Sequence, residues 1–357
     1  MYSISRYRVS LISLITFCVT SCTGSECFSL DNAINVDIFP VTHLVSDFDD
    51  TGIKAIGVQG IYVSDEYIIL SSVNASGCIS VYDKNGESVT TPFLNVGNGP
   101  GEILYQPFLS WCSFDQSERL LMRLFDFKGN FIEYDIDGTI SHGRPLWKVL
   151  SDSLSISSGA RYFCAGKNRL ICRRSNAYNT GFERFIISDS GTQENHAMAI
   201  LNSYTALEKN ILSTMFLYNE KHDKVVEFCS RMNVIHLYSL NNSFNKTITI
   251  DGKAKIKDIE QDDILKSSKK YYDAKAFDKC FVGLNIGTNI TDLNNGDFES
   301  VELHFFDWEG NPLAELLLPV RALYFDIDFD TQNLYLVEYD TDKILRYDLS
   351  SFLSSIF

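Results

Sequence analysis

Three observations predict an all-β fold, a six-bladed β-propeller of four-stranded antiparallel blades. Short segments of alternating apolar and polar residues fill the chain, separated by clusters of Asp, Asn and Gly. One phrase built from such segments recurs six times from residue 55 onward. The ends are mismatched, because an extra strand precedes the first unit and the last unit has only three clear strands. Alternation with period two gives each segment one apolar face, and the polar clusters let neighbours pair antiparallel. Stacking such sheets radially buries both faces of each one.

The six units follow in order. Gly60–Ser72 runs into Ile79–Gly86, and Trp111–Phe127 runs into Phe131–Gly138. Arg161–Arg173 leads to Phe185–Gly191, and Met215–Cys229 leads to Ile235–Asn242. Lys279–Asn285 leads to Val301–Gly310, and Ala322–Glu338 leads to Ile344–Asp348. Each unit ends in Tyr-Asp or its equivalent before a turn. The markers Asp83, Asp135, Asp189, Leu240, Asp307 and Asp348 lie 52, 54, 51, 67 and 41 residues apart. Blades of four strands usually take about 40 to 50 residues. Glu260–Tyr272, polar at both ends, predicts a short helical insertion that accounts for the long spacing. Asn35–Leu44 is the unmatched strand, expected to complete the sixth blade and close the ring. A β-sandwich pair or a β-solenoid explains neither the six units nor the mismatched ends.

Composition narrows the class of partner. The chain has 357 residues, 45% hydrophobic and 13% aromatic, with ample apolar surface for a large core. Its formal charge of -15 gives no attraction to phosphate backbones or anionic lipid headgroups, so nucleic acid is not an expected partner.

The first 22 residues are different. Arg6 and Arg8 precede an apolar run, Val9–Val19, which is too short to span a bilayer and reads as a signal peptide. Val19, Thr20, Ser21 and Cys22 then resemble the bacterial lipobox, a small-residue stretch ending in a lipidated cysteine. That resemblance implies cleavage before Cys22 and diacylglycerol on its sulfur. Residues 1–21 would be the signal, 22–33 the lipidated tether and 34–357 the propeller. Losing Arg6 and Arg8 with no acidic residue takes the charge to -17. The expected location is an outer-membrane lipoprotein facing the periplasm or the cell surface, with lipid as the sole anchor.

Beyond Cys18 and Cys22, seven cysteines remain, with irregular spacing and no Cys-x-x-Cys, which excludes a zinc ribbon or thioredoxin-type site. Most lie in strand-like runs as small buried hydrophobes. Cys164 and Cys172 flank a stretch that a turn centred on Asn168 would fold into a hairpin, placing them opposite each other, bridged or not.

Three candidate sites remain, and a fourth motif, the EF-hand-like start at Asp47, is rejected. Gly97, Gly99, Gly101 and Glu102 form the most distinctive local sequence, a ligand loop whose amides could cradle an anion, or a tight blade-to-blade connection needing positive φ. No strand–loop–helix context supports a nucleotide. Asp326, Asp328 and Asp330 alternate, so a strand would aim all three at one side, as a Ca²⁺ site or as turn chemistry and a solvated edge. Asp47, Asp49 and Gly52 begin like an EF-hand loop, but Val58 stands where a bidentate Glu is needed. Among aromatics, Tyr105, Trp147 and Tyr178 lie in loops and could meet a ligand. The six histidines show no metal-ligand spacing, and neither His-Glu-x-x-His nor Gly-x-Ser-x-Gly occurs. His236 and His304 fall within strands, where a buried, hydrogen-bonded role is the default.

The lipobox, the six units and the Val96–Glu102 phrase together resemble the six-bladed β-propeller lipoproteins of Bacteroides and its relatives, sometimes described as TolB-like. In that family a Gly-x-Gly-Pro-Gly-Glu phrase recurs at a similar place. The resemblance covers about residues 34–350 and implies fold and compartment. The functional expectation is a non-enzymatic binding or scaffold propeller for an envelope protein or glycan, without a cofactor and as a monomer, since a closed ring has no long free sheet edge. The alternative is a hydrolase or lyase, metal-dependent or not, with acidic residues gathered at the central channel.

Overall fold

The computed structural model describes residues 33–74, 77–126, 130–151, 161–164, 169–175, 182–188, 191–203, 214–252 and 268–357. They form six small sheets arranged radially, the six-bladed propeller predicted from the repeats. In blades 2 to 6 the first strand lies innermost and the chain moves outward. These inner strands are Ser113–Asp115, Arg161–Cys164, Thr214–Asn219, Ser268–Ala276 and Ala322–Asp328. Blade 1 supplies Val58–Val63 and pairs three strands, its outer edge finished by bridges from Ile79 to Phe93 and Tyr82 to Ser88. Val58–Val63 packs against Ala322–Asp328, so the last blade meets the first.

The hydrophobic core is divided among the seams between blades. Six clusters of buried residues correspond to six seams, from Ile69, Met122 and Tyr134 between blades 1 and 2 to Ile61, Tyr335 and Ile344 between blades 6 and 1. Blade 4 shows why strict alternation fails in the middle of the molecule. Lys224–Cys229 and Val234–Ser239 are buried at every position, because blades 3 and 5 cover both faces. Fully burying one Leu or Ile side chain is worth about 1.5–3 kcal/mol, so the seams are a main source of the ring's cohesion.

The marker aspartates have a physical role. Asp83 Oδ1 accepts the backbone N–H groups of Asn85 and Glu87, both at 2.9 Å, and Asp307 Oδ1 accepts those of Glu309 and Asn311 at 2.9 and 2.8 Å. The carboxylate thus folds the turn that follows the third strand. Asp135 is different: its Oδ1 accepts from Gly138 N at 2.7 Å and caps a helix, Ile136–His142, where a simple turn was expected.

Three sequence expectations need correction. The ring is closed by an N-terminal strand, but by Asp49–Asp50 and not by Asn35–Leu44. Asp49–Asp50 pairs antiparallel with Ile344–Asp348 of blade 6, aided by Lys343 and Arg346 on the two carboxylates. The earlier residues run parallel to the outer strands of two other blades, Ile34–Val36 along blade 4 and Thr42–Leu44 along blade 5. The N-terminal segment is therefore a strap across three blades. Second, residues 268–272 of the expected helical insertion begin a strand, Ser268–Ala276, which is the inner strand of blade 5, while residues 260–267 lie outside the described residues. Its Lys-Lys-Tyr-Tyr run looks helical by composition, but Tyr271 is buried in the seam with Phe228, 4.8 Å between ring centroids. Third, Cys164 and Cys172 are not opposite each other. Cys172 pairs with Tyr162 and Cys164 with Leu170, so the hairpin register offsets the two cysteines.

Candidate functional site

The inner strands of the blades end together at one mouth of the central channel. There the chain turns from first to second strand, and a cavity of about 510 Å³ is lined by the ends of blades 1, 2, 4, 5 and 6. A neighbouring hollow of about 670 Å³ shares Gln116, Asn219 and Asp278 with it and widens the mouth toward blades 2 and 4. Closure of a ring makes this convergence unavoidable, because every inner strand must leave the centre at the same level.

Aromatic rings and polar groups alternate around the mouth. Tyr62 of blade 1 and Phe114 of blade 2 stack face to face, 3.5 Å between centroids and 5° between planes. Phe277 of blade 5 meets Phe329 of blade 6 at 4.9 Å. All four rings are part-exposed, and Asp65, Gln116, Asp278 and Asp330 stand exposed among them.

Beneath this rim lie two carboxylates in contrasting surroundings. Asp326 is 3% exposed, and its Oδ2 accepts the backbone N–H of Val63 across the blade 6–blade 1 seam at 2.8 Å. Lys275 stands 3.8 Å away, its ammonium donating to the carbonyl of Ile61 at 2.7 Å. Burial outweighs that distant cation and pushes the Asp326 carboxyl up from its ordinary range. Burial also opposes ionisation of Asp328, but there it is outweighed by the Lys84 ammonium at 2.7 Å and by Thr331, and the carboxyl is held low.

The structure brings Asp326, Asp328 and Asp330 to the cavity, the first two from the strand Ala322–Asp328 and Asp330 from the turn after it. Asp328 Oδ1 also accepts the N–H groups of Asp330 and Thr331, which makes it a turn former as well as a wall of the cavity. Gly97, Gly99, Gly101 and Glu102 lie in the connection from blade 1 to blade 2 and do not line this cavity. Glu102 folds back on its own loop, accepting the N–H of Gly99 at 2.7 Å, and Tyr134 donates to the Gly101 carbonyl at 2.9 Å. Gly101 has φ +76°, and a Cβ there would stand 2.6 Å from the Trp147 ring. Trp147 is thus a lid on that connection, whereas Tyr105 is 63% exposed beside it. Cys22 and Tyr178 lie outside the described residues.

Gln116, Asn219, Lys275, Phe277 and Phe329 escaped the sequence reading. No two blades share a motif at these places. The usable signal was positional, the residue at which each first strand stops.

No family model and no curated protein matches the chain. Among solved structures it is similar to a Bacteroides thetaiotaomicron protein described as the extracellular domain of a one-component system, with 11% identity and a TM-score of 0.45 over 82% of this chain and 34% of that one. It is also similar to Raptor from Chaetomium thermophilum, with 12% identity and a TM-score of 0.46 over 84% of this chain and 28% of that one. A third similar structure is a Bacteroides fragilis protein described as exported, with 11% identity and a TM-score of 0.43 over 88% and 98% of the two chains. The chain spans about a third or less of the length of the first two. Among the described residues no helix is long and apolar enough to cross a membrane.

Proposed function

We propose that this chain is a lipid-anchored envelope protein whose propeller binds a glycan at the channel mouth. The observation that carries the reading is the composition of that mouth. Part-exposed rings offer flat apolar faces to the C–H side of a sugar, and neighbouring carboxylates and side-chain amides can take up its hydroxyls. A cavity of about 510 Å³ is of the size that takes a small ligand. A protein partner on the same rim is the other binding outcome. Anchorage at Cys22 rests on the lipobox alone, and the monomeric state on closure of the ring.

The test is capture of the full chain on an array of polysaccharides and oligosaccharides, beside a Phe329→Ala variant. Binding of a related group of glycans, lost in the variant, supports the reading. Retention by no glycan, or equal retention of the variant, contradicts it. Labelling of the full chain by a lipid precursor, absent in Cys22→Ser, tests the anchor.

One observation favours a hydrolase as second reading. Asp326 and Asp328 line the same cavity with pKa values displaced in opposite directions, the arrangement expected of an acid and a carboxylate sharing one reaction. New reducing ends on a captured glycan, absent with Asp326→Asn, would move the assignment from binding to cleavage.

A further inference from the structure

Blade 5 carries a second constellation, none of whose residues lines the cavity at the channel mouth. Glu302 and His304 alternate on the strand Val301–Phe306, so both point to one side of the sheet, and Glu315 is the direct cross-strand partner of His304. The three side chains bring one ligand atom each within 4.8 Å of one another. His304 Nε2 lies 3.3 Å from Glu302 Oε2 and 3.5 Å from Glu315 Oε1.

We propose that Glu302, His304 and Glu315 hold a divalent transition-metal ion, with zinc the best-fitting species. The spacing is the first argument. A charge-assisted N–H···O contact closes to about 2.7–2.9 Å, whereas two ligands of a tetrahedral zinc, bonded at about 2.0–2.2 Å, stand about 3.3–3.6 Å apart. Both gaps fall in the second range. The orientation of the imidazole is the second argument. His304 is 1% exposed, and its Nδ1 sits 3.0 Å from the hydroxyl of the buried Tyr271. An Nδ1–H donated to that hydroxyl leaves the Nε2 lone pair facing two carboxylates, an assembly of acceptors that a cation completes. A hydrogen-bonded second nitrogen is the usual support of a metal-bound histidine. Glu302 is 44% exposed and Glu315 23%, so an ion has a way in and a fourth position open to water. One imidazole with two carboxylates suits zinc better than the all-oxygen shell of calcium.

The site also bears on the strap. Glu315 N donates to the Val41 carbonyl at 2.8 Å, and the Phe39 ring lies 4.9 Å from that of His304. An ion on Glu315 would fix the strand on which Thr42–Leu44 is laid.

The experiment takes the full chain purified in detergent, stripped with chelator and titrated with zinc. Expected are one zinc per chain by elemental analysis, a melting temperature raised by zinc and returned by chelator, and slower amide exchange at residues 42–45. Glu302→Gln and Glu315→Gln should weaken zinc binding at least about tenfold while keeping the melting temperature of the stripped protein, and Tyr271→Phe about 10–100-fold. Asp326→Asn should respond to zinc as the wild type does. If the wild type takes up no zinc, or if the two glutamine variants bind it equally well, a proton and not a metal lies between His304 and the carboxylates and the proposal is overturned.

Discussion

Two buried carboxylates at different seams show how the same chemistry serves two ends. Glu227, between blades 3 and 4, has no exposure, and its two oxygens accept from Arg184 Nε and Nη2 at 2.7 Å each. Thr214 and Tyr238 donate to it as well. Burial alone would raise its pKa, but the guanidinium and these donors outweigh burial and hold it at about 2. Burial pulls the nearby Arg173 down to about 10, and among the described residues its Nε has no hydrogen-bond partner. Every lone pair of Glu227 faces protein, so the group specifies the seam. Asp326 instead has one backbone N–H on each oxygen, from Val63 and Ile327, with its nearest cation, Lys275, 3.8 Å away and a cavity beside it. A carboxylate at a cavity wall whose burial no close counter-charge offsets is a candidate for ligand contact, and one enclosed by a guanidinium and further donors is not.

The largest predicted effect separates the two. Glu227→Gln leaves two guanidiniums buried without a counter-charge and should cost about 3–5 kcal/mol in chemical denaturation. A loss below about 1 kcal/mol would mean that the pair does not specify the seam.

Acid titration sharpens the contrast through its sign. The folded pKa of Glu227 lies below its ordinary 4.5, so its contribution is complete above 4.5 and is lost as pH falls toward about 2. The folded pKa of Asp326 lies above its ordinary 3.8, so the native state holds that proton more tightly and stability declines as pH rises from 3.8 through the raised value. Melting curves across acidic pH should therefore show a smaller acid-side fall in Glu227→Gln, provided that variant folds, with Asp328 and Glu133 supplying part of what remains. The decline above 3.8 should vanish in Asp326→Asn.

At neutral pH, Asp326→Asn should change stability by no more than about 1.5 kcal/mol, since one oxygen still accepts from Val63. Its effect on glycan retention should be the larger one. The smallest effect belongs to Lys221 and Asp278, paired at 2.9 Å but 63% and 74% exposed at the rim. Lys221→Ala should shift stability by less than about 1 kcal/mol.

The repeat was legible because turn chemistry is local. An aspartate that folds its own turn, as Asp83 and Asp307 do, leaves the same mark wherever that turn recurs. The strap was half legible: an unpaired strand was visible, but its choice of Asp49–Asp50 over Asn35–Leu44 depends on reach across three blades. Lys269–Tyr272 was misread because burial against blade 4 overrode local propensity. The mouth was legible only at Asp326, Asp328 and Asp330, the first two alternating within one strand and the third in the turn that ends it. Phe277 and Gln116 meet there through ring closure, which no local pattern records. The same holds for Glu302, His304 and Glu315, where the first two alternate openly and the third needs the hairpin register.

The most direct test of the channel mouth as binding site is calorimetric titration of an array-selected glycan into the full chain and into Asp65→Ala/Asp278→Ala. These two carboxylates are exposed and lie at the cavity. The account predicts saturable binding by the wild type and at least about tenfold weaker binding by the variant, with the same melting temperature. Equal affinity in the two proteins would place the glycan elsewhere and contradict it.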